Sequence, residues 1–270
     1  MKKQIQQFGA ALAAVLVFAG VAQAQAPALS GSGRPLLIPK EATQISPHIF
    51  SLGVSVDPLR GDLVEGYAIV HPKKQFAKPD WAGGKGTTAC YGFLAKDAKW
   101  KSVESWVVNA SNSYGITATS VLSTLSSGIG KWESAAQANI LGSGSTTTQT
   151  LVADTVSMDN VNEVYFGELE AGTIGVTIVW GIFGGPPQGR ELREWDQVYN
   201  TLYTWGDAAI NPALMDFESI ATHELGHSVG MGDLYQSECI EETMYGYGTE
   251  GETKKRDLNT GDIAGINKLY

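Results

Sequence analysis

Apolar positions change period several times along this chain, and each change marks an element. Ile49, Phe50 and Leu52, then Val64, Tyr67, Ile69 and Val70, read as two short strands around a polar turn from Asp57 to Asp62. A further strand is predicted over Ser105–Val108. The spacing then becomes helical: Val121, Leu122, Leu125, Ile129 and Trp132 share a face behind an N-cap at Thr119 or Ser120. Gly128 and Gly130 weaken the end of that helix. Val161–Phe166, Thr173–Trp180 and Trp195–Tyr203 read as strands, with a Gly/Pro loop at 184–187. A second helix starts near Asp216, a possible N-cap, turns Ile220 inward and ends near Gly230. Thr260–Tyr270 is a capped amphipathic helix. Interleaved strands and helices without an internal repeat predict a mixed α and β domain.

The N-terminus is patterned differently. Lys2 and Lys3 precede an apolar run from Ala10 to Val21 and a small-residue site at Ala22–Ala24, the signature of a secretory signal peptide over 1–24. The run is too short to serve comfortably as a membrane anchor. Residues 25–45 are rich in Ala, Pro, Ser and Gly, and residues 72–88 in Lys, Pro and Gly, so 25–85 reads as a pro-segment and linker ahead of the main domain over 86–270. The expected location is secreted or periplasmic, with no membrane contact once the leader is removed.

The 270 residues are 43% hydrophobic with a net charge of −9, which suits a globular core and argues against a nucleic-acid partner. A monomer is expected. In an exported protein the two cysteines, Cys90 and Cys239, suggest one disulfide. The rival reading is Cys90 as a thiolate on a metal in a latent precursor.

Two of the four histidines, His223 and His227, stand one helical turn apart and can reach one ion. Glu224 lies beside the first and can work on a water bound to that ion, as the general base. Gly230 allows a sharp exit from the helix, and Asp233 follows as the third ligand. The implied cofactor is one catalytic Zn2+; nothing speaks to calcium. His48 and His71 read as solvent or turn histidines with no metal role. Arg60–Asp62 reads as part of a polar turn.

His223, Glu224, His227, Gly230 and Asp233, with a methionine turn at Thr243–Gly246, resemble the extended motif of the metzincin zinc metallopeptidases. Lys131–Glu133 and Asp262–Tyr270 resemble the first and last helices of the matrixin branch. The resemblance covers roughly 100–270 and is most specific over 216–247. Aspartate as third ligand departs from most matrixins and is similar to snapalysin-like bacterial enzymes. The matrixin cysteine switch is absent. The resemblance implies an α+β zincin fold, with a mixed sheet, an antiparallel edge strand, an active-site helix and a C-terminal helix. It implies a protein or peptide substrate lying along the edge strand at 173–180. It also places Met244 beneath the metal. Tyr245 and Tyr247 follow that methionine and read as lining the pocket for the residue after the scissile bond, with donation of a hydrogen bond to the oxyanion as the other role.

The reading that follows is a secreted zinc endopeptidase. Two others stay open: a catalytically silent zinc-binding or adhesive domain of the same fold, and a zinc amidase acting on cell-wall peptides. Glu224 speaks against the first, and the methionine turn against the second.

Overall fold

A computed structural model describes residues 35–74 and 89–270. The leader and its cleavage site lie outside the described residues, as does most of the expected linker. One eight-stranded sheet organises the chain, with strands β1 (Thr43–Ser46), β2 (Ile49–Val56), β3 (Leu63–Pro72), β4 (Trp106–Asn109), β5 (Gly144–Thr146), β6 (Asn162–Gly167), β7 (Thr173–Ile182) and β8 (Glu191–Asn200). Their order across the sheet is β1-β2-β3-β7-β8-β6-β4-β5. β4, β5, β6 and β8 run parallel, whereas β7 is antiparallel to β8 and the β1–β3 meander is antiparallel throughout. Among the described residues three α-helices, α1 (Ala118–Ala136), α2 (Phe217–Ser228) and α3 (Thr260–Leu269), complete the α+β architecture.

Every residue of β8 is buried, because a central strand is covered on both faces. One face packs Trp106, Trp195, Tyr199 and Ile69 against Leu125 and Trp132 of α1, Leu225 of α2 and Ile266 of α3. The other buries Val64, Ala68, Tyr165, Val176, Ile178 and Trp180 in a second core. Burying each such large apolar side chain contributes about 1.5–3 kcal/mol. α1 and α2 approach closely where Gly128 faces Leu225, and the Trp132 indole donates to the Thr222 carbonyl at 2.9 Å.

Several boundaries differ from those read in the sequence. α1 is capped by Thr117, whose hydroxyl accepts from the Ser120 amide, two residues before the expected cap. β8 begins at Glu191, because its charged and polar residues are buried in pairs that hydropathy does not reveal. The short strands β1 and β5 carry no apolar alternation and were not expected. Asp216 does cap α2, accepting from the Ser219 amide at 2.9 Å.

The largest correction concerns β7. It is not an edge in this chain, since β3 pairs with it from Glu65↔Gly181 to Pro72↔Thr173. Strand pairing across more than a hundred residues leaves no local signature. The turn at 57–62 is pinned to the sheet by Arg193, whose guanidinium donates to Asp57 at 3.0 Å and Asp62 at 2.8 Å.

Cys90 and Cys239 form a disulfide closing a separation of 149 residues, so Cys90 is not a free thiolate. Replacing both cysteines with alanine is expected to cost about 4–5 kcal/mol in the chain-entropy picture, read by urea denaturation.

Candidate metal centre and active site

α2 is buried along almost its whole length, so its polar residues must find partners inside the protein. His223 donates through Nδ1 to the Thr243 carbonyl at 2.7 Å, and His227 through Nδ1 to the Met231 carbonyl at 3.0 Å. Each bond orients its ring and leaves Nε2 as the free donor atom. Gly230, at φ +100, makes the turn out of the helix that side chains rarely allow. The chain then returns Asp233, whose Oδ1 lies 3.3 Å from His223 Nε2 and 3.4 Å from His227 Nε2.

These three atoms are buried and have no hydrogen-bond partner. Buried polar atoms without partners are costly unless something else satisfies them. Two imidazole nitrogens and a carboxylate oxygen converging on one point are a fitting donor set for zinc. Their electrostatics agree. Burial drives His223 down to about 3, keeping it an unprotonated donor. Burial alone would raise Asp233, but His227 and His223 hold its carboxyl well below the usual range. Burial lowers His227 while the Asp233 carboxylate raises it, with an upward net shift. The Asp233 carboxylate also accepts from the Tyr235 hydroxyl at 2.9 Å, an orienting contact that sequence reading missed.

Beneath the helix lies Met244, fully buried, with its sulfur packed where a Cβ on Gly226 would stand. Only glycine fits there. The methionine turn is held by Asp262, whose carboxylate accepts from the Thr243 and Met244 amides at 2.7 and 3.1 Å and also closes the N-cap of α3. Thus the α3 cap and the floor of the site share one side chain.

Glu224 is fully buried and faces β7. Thr177 donates to its Oε2 at 2.6 Å, and His71 Nδ1 stands 3.1 Å from Oε1. Burial pushes its pKa up to about 7, the range that suits a general base near neutrality. His71 was expected at the surface and is instead fully buried, its ring 4.0 Å from that of His223. Its Nε2 lies 3.2 Å from Nζ of Lys255, a buried lysine that also donates to the Tyr245 carbonyl. Burial lowers Lys255 to about 8. His48 is buried too, its ring tilted against that of Tyr235 at 5.4 Å and edge-on to that of Tyr247 at 5.8 Å. Tyr245 packs edge-on against Tyr247, with ring centroids 5.6 Å apart. Neither His71 nor Lys255 could be found from spacing, because each reaches the site through a distant pairing.

Away from this centre, Asp154, Glu194 and Asp196 bring three carboxyls together. Burial and the nearby Asp154 raise Glu194 to about 9. Between its ordinary value of 4.5 and about 9 the folded protein therefore binds more protons at this site than the unfolded chain. Stability from this group is full at low pH and is lost as pH rises through that window. In buffer free of divalent cations, the melting temperature of wild type is expected to fall relative to Glu194→Gln as pH rises from about 6.5 to about 9.

The matrixin profile matches residues 95–270. Metalloendoproteinase 1-MMP of Arabidopsis thaliana is 45% identical over 56 residues, covering 21% of this chain and 14% of its own length. Metalloendoproteinase 2-MMP of the same plant is 29% identical over 150 residues, covering 56% of this chain and 37% of its own length. The chain thus spans well under half the length of these relatives. The match runs from before β4 through α3 and takes in the three converging donors, the neighbouring carboxylate and the methionine turn; the chain belongs to the matrixin family.

Proposed function

We propose that the chain is an exported zinc-dependent endopeptidase with Glu224 as its general base. The observation that carries this reading is the convergence of three partnerless buried donors, His223 Nε2, His227 Nε2 and Asp233 Oδ1, next to a buried carboxylate. These residues would hold the ion. Zinc bound there supplies Lewis acidity, polarising a peptide carbonyl and making water acidic enough to attack near neutral pH.

The rest belongs to the protein. Thr177 fixes one oxygen of Glu224; the other, met by His71 Nδ1 at 3.1 Å, would take a proton from the attacking water once that contact opens and return it to the leaving amine. Tyr235 orients Asp233, and the Thr243 and Met231 carbonyls orient the histidines. Tyr245 and Tyr247 would line the pocket for the residue after the scissile bond. Both relatives are named metalloendoproteinases, which supports peptide-bond hydrolysis. The patterned N-terminus and the disulfide support export. Retention of Glu224 favours catalysis over a silent zinc-binding domain.

The test is hydrolysis of casein and of a quenched-fluorescent peptide by the zinc-loaded chain, with chelator and after zinc is restored. Chelation is expected to abolish activity reversibly. A folded, zinc-loaded chain inactive on every protein and peptide tested would overturn the reading.

A further inference from the structure

Lys255 follows the methionine turn, between two other cations, and its surroundings differ from theirs. Its side chain is fully buried. Among the described residues no carboxylate comes within ion-pair distance of its Nζ. Lys254, by contrast, pairs with Glu252 at 3.0 Å and Glu241 at 3.6 Å, and Arg256 pairs with Asp207, Asp216 and Glu218. Glu252 is held by Lys254 and acts on Lys255 only from further off. The Lys255 ammonium donates instead to the Tyr245 carbonyl and to His71 Nε2. The first is a neutral peptide oxygen, and burial keeps the His71 ring uncharged. Lysines are almost never fully buried unless paired, because an ammonium out of water needs a carboxylate to share its burial. Burial lowers Lys255 only to about 8, so it keeps its charge at neutral pH.

The atom that meets the ammonium sits among aliphatic groups. The place a Cβ on Gly248 would take lies 3.2 Å from His71 Nε2, 3.0 Å from Cδ1 of Ile174 on β7 and 3.3 Å from Cδ1 of Ile220 on α2. Both isoleucines are buried. The same imidazole lies 4.0 Å from the ring of His223. Beside a metal-binding histidine there is thus a slot with aliphatic walls, kept open by a glycine and ended by a cation. Such a slot suits a side chain with a methylene stem and an acceptor at its tip. His71 gives its depth. From Cα, its Nε2 stands as many bonds away as the Oε of a glutamate, whereas an aspartate oxygen falls a bond short.

We propose that Lys255 selects substrates with glutamate immediately after the scissile bond, its ammonium taking the side-chain carboxylate in the slot beside His223. This rests on the endopeptidase reading and names the substrate class for it. The position follows from the wall the slot belongs to. Lys255 is tied to the Tyr245 carbonyl, and Tyr245 and Tyr247 flank the residue after the scissile bond in that reading. The glutamate carboxylate takes the acceptor place of His71 Nε2 once the His71 contact has opened. It supplies the countercharge that Lys255 lacks. Glutamine brings the same shape without the charge. Leucine fills the walls but leaves the ammonium without a partner.

Three quenched peptides test this, identical except for Glu, Gln or Leu after the scissile bond. Both ends are blocked, so that no terminal carboxylate competes for the ammonium. Their kcat/KM values are read with the full zinc-loaded chain, wild type and Lys255→Met. Hydroxamates carrying the same three side chains next to the zinc-binding group are titrated in parallel for affinity. All members of a set must open the same His71 contact, so that cost cancels in their ratio.

Wild type is expected to favour glutamate over glutamine by at least about tenfold in both measurements. Lys255→Met is expected to lose that preference and to favour leucine. Should Lys255→Met fail to fold, Lys255→Gln, which still offers the Tyr245 carbonyl a donor, takes its place with the same expected loss. A glutamate-to-glutamine ratio near one in wild type, or a preference unchanged in the Lys255 variant, would overturn the proposal. Glutamate-favouring hydroxamate affinity that vanishes in the variant, with no peptide cleaved by any form, keeps the slot and sinks the endopeptidase reading. Cleavage indifferent to glutamate does the reverse, and failure of every hydroxamate to bind overturns both.

Discussion

Glu224→Gln is expected to lower peptide turnover by about 10²–10⁴-fold while zinc content and fold stay unchanged. The substitution keeps the shape of the side chain and its contact with Thr177, and removes only the ability to hold a proton. The carboxyl is raised to about 7 by burial, so it is a better base than an exposed glutamate would be. Turnover within threefold of the parent, with zinc bound, would show that another group takes the proton.

Asp233→Ala is expected to weaken zinc binding by about 100-fold or more, measured by competition with a chromophoric chelator, and Tyr235→Phe by about 10–100-fold. The two are graded for a physical reason. The first removes a ligand oxygen and leaves His223 and His227 to hold the ion alone. The second removes only the hydroxyl that fixes the carboxylate at 2.9 Å, so the ligand remains but must be ordered on binding. Unchanged zinc affinity in Asp233→Ala would show that the third donor comes from elsewhere. His71 is the first candidate then, because it also stands within ligand reach of His223 and Glu224.

The link between the centre and its supports is short. Asp262 holds both the α3 cap and the methionine turn, and Gly226 admits Met244 beneath α2. Changes far from the ion in sequence therefore reach it through one or two contacts, and Asp262→Ala should lower stability and zinc affinity together.

What could be read in the residues is local. The spacing of His223 and His227, the neighbouring Glu224, the exit at Gly230 and the arrival of Asp233 lie within eleven residues, and helix geometry alone brings them together. The helical stripe of α1, the Asp216 cap and the capped C-terminal helix were legible for the same reason: period and capping are properties of neighbours in the chain. Only the tertiary structure decided which strand lies beside β7, because strand pairing joins residues a hundred positions apart and depends on no local period. That one pairing moved His71 from an assumed surface turn to within 3.1 Å of Glu224 Oε1. It also showed β7 to be paired on both sides, by β3 and by β8, rather than lying at an edge. Tyr235, Lys255 and the buried carboxyls of β8 stayed hidden likewise, since a polar residue in a sequence looks exposed until the fold supplies its partner.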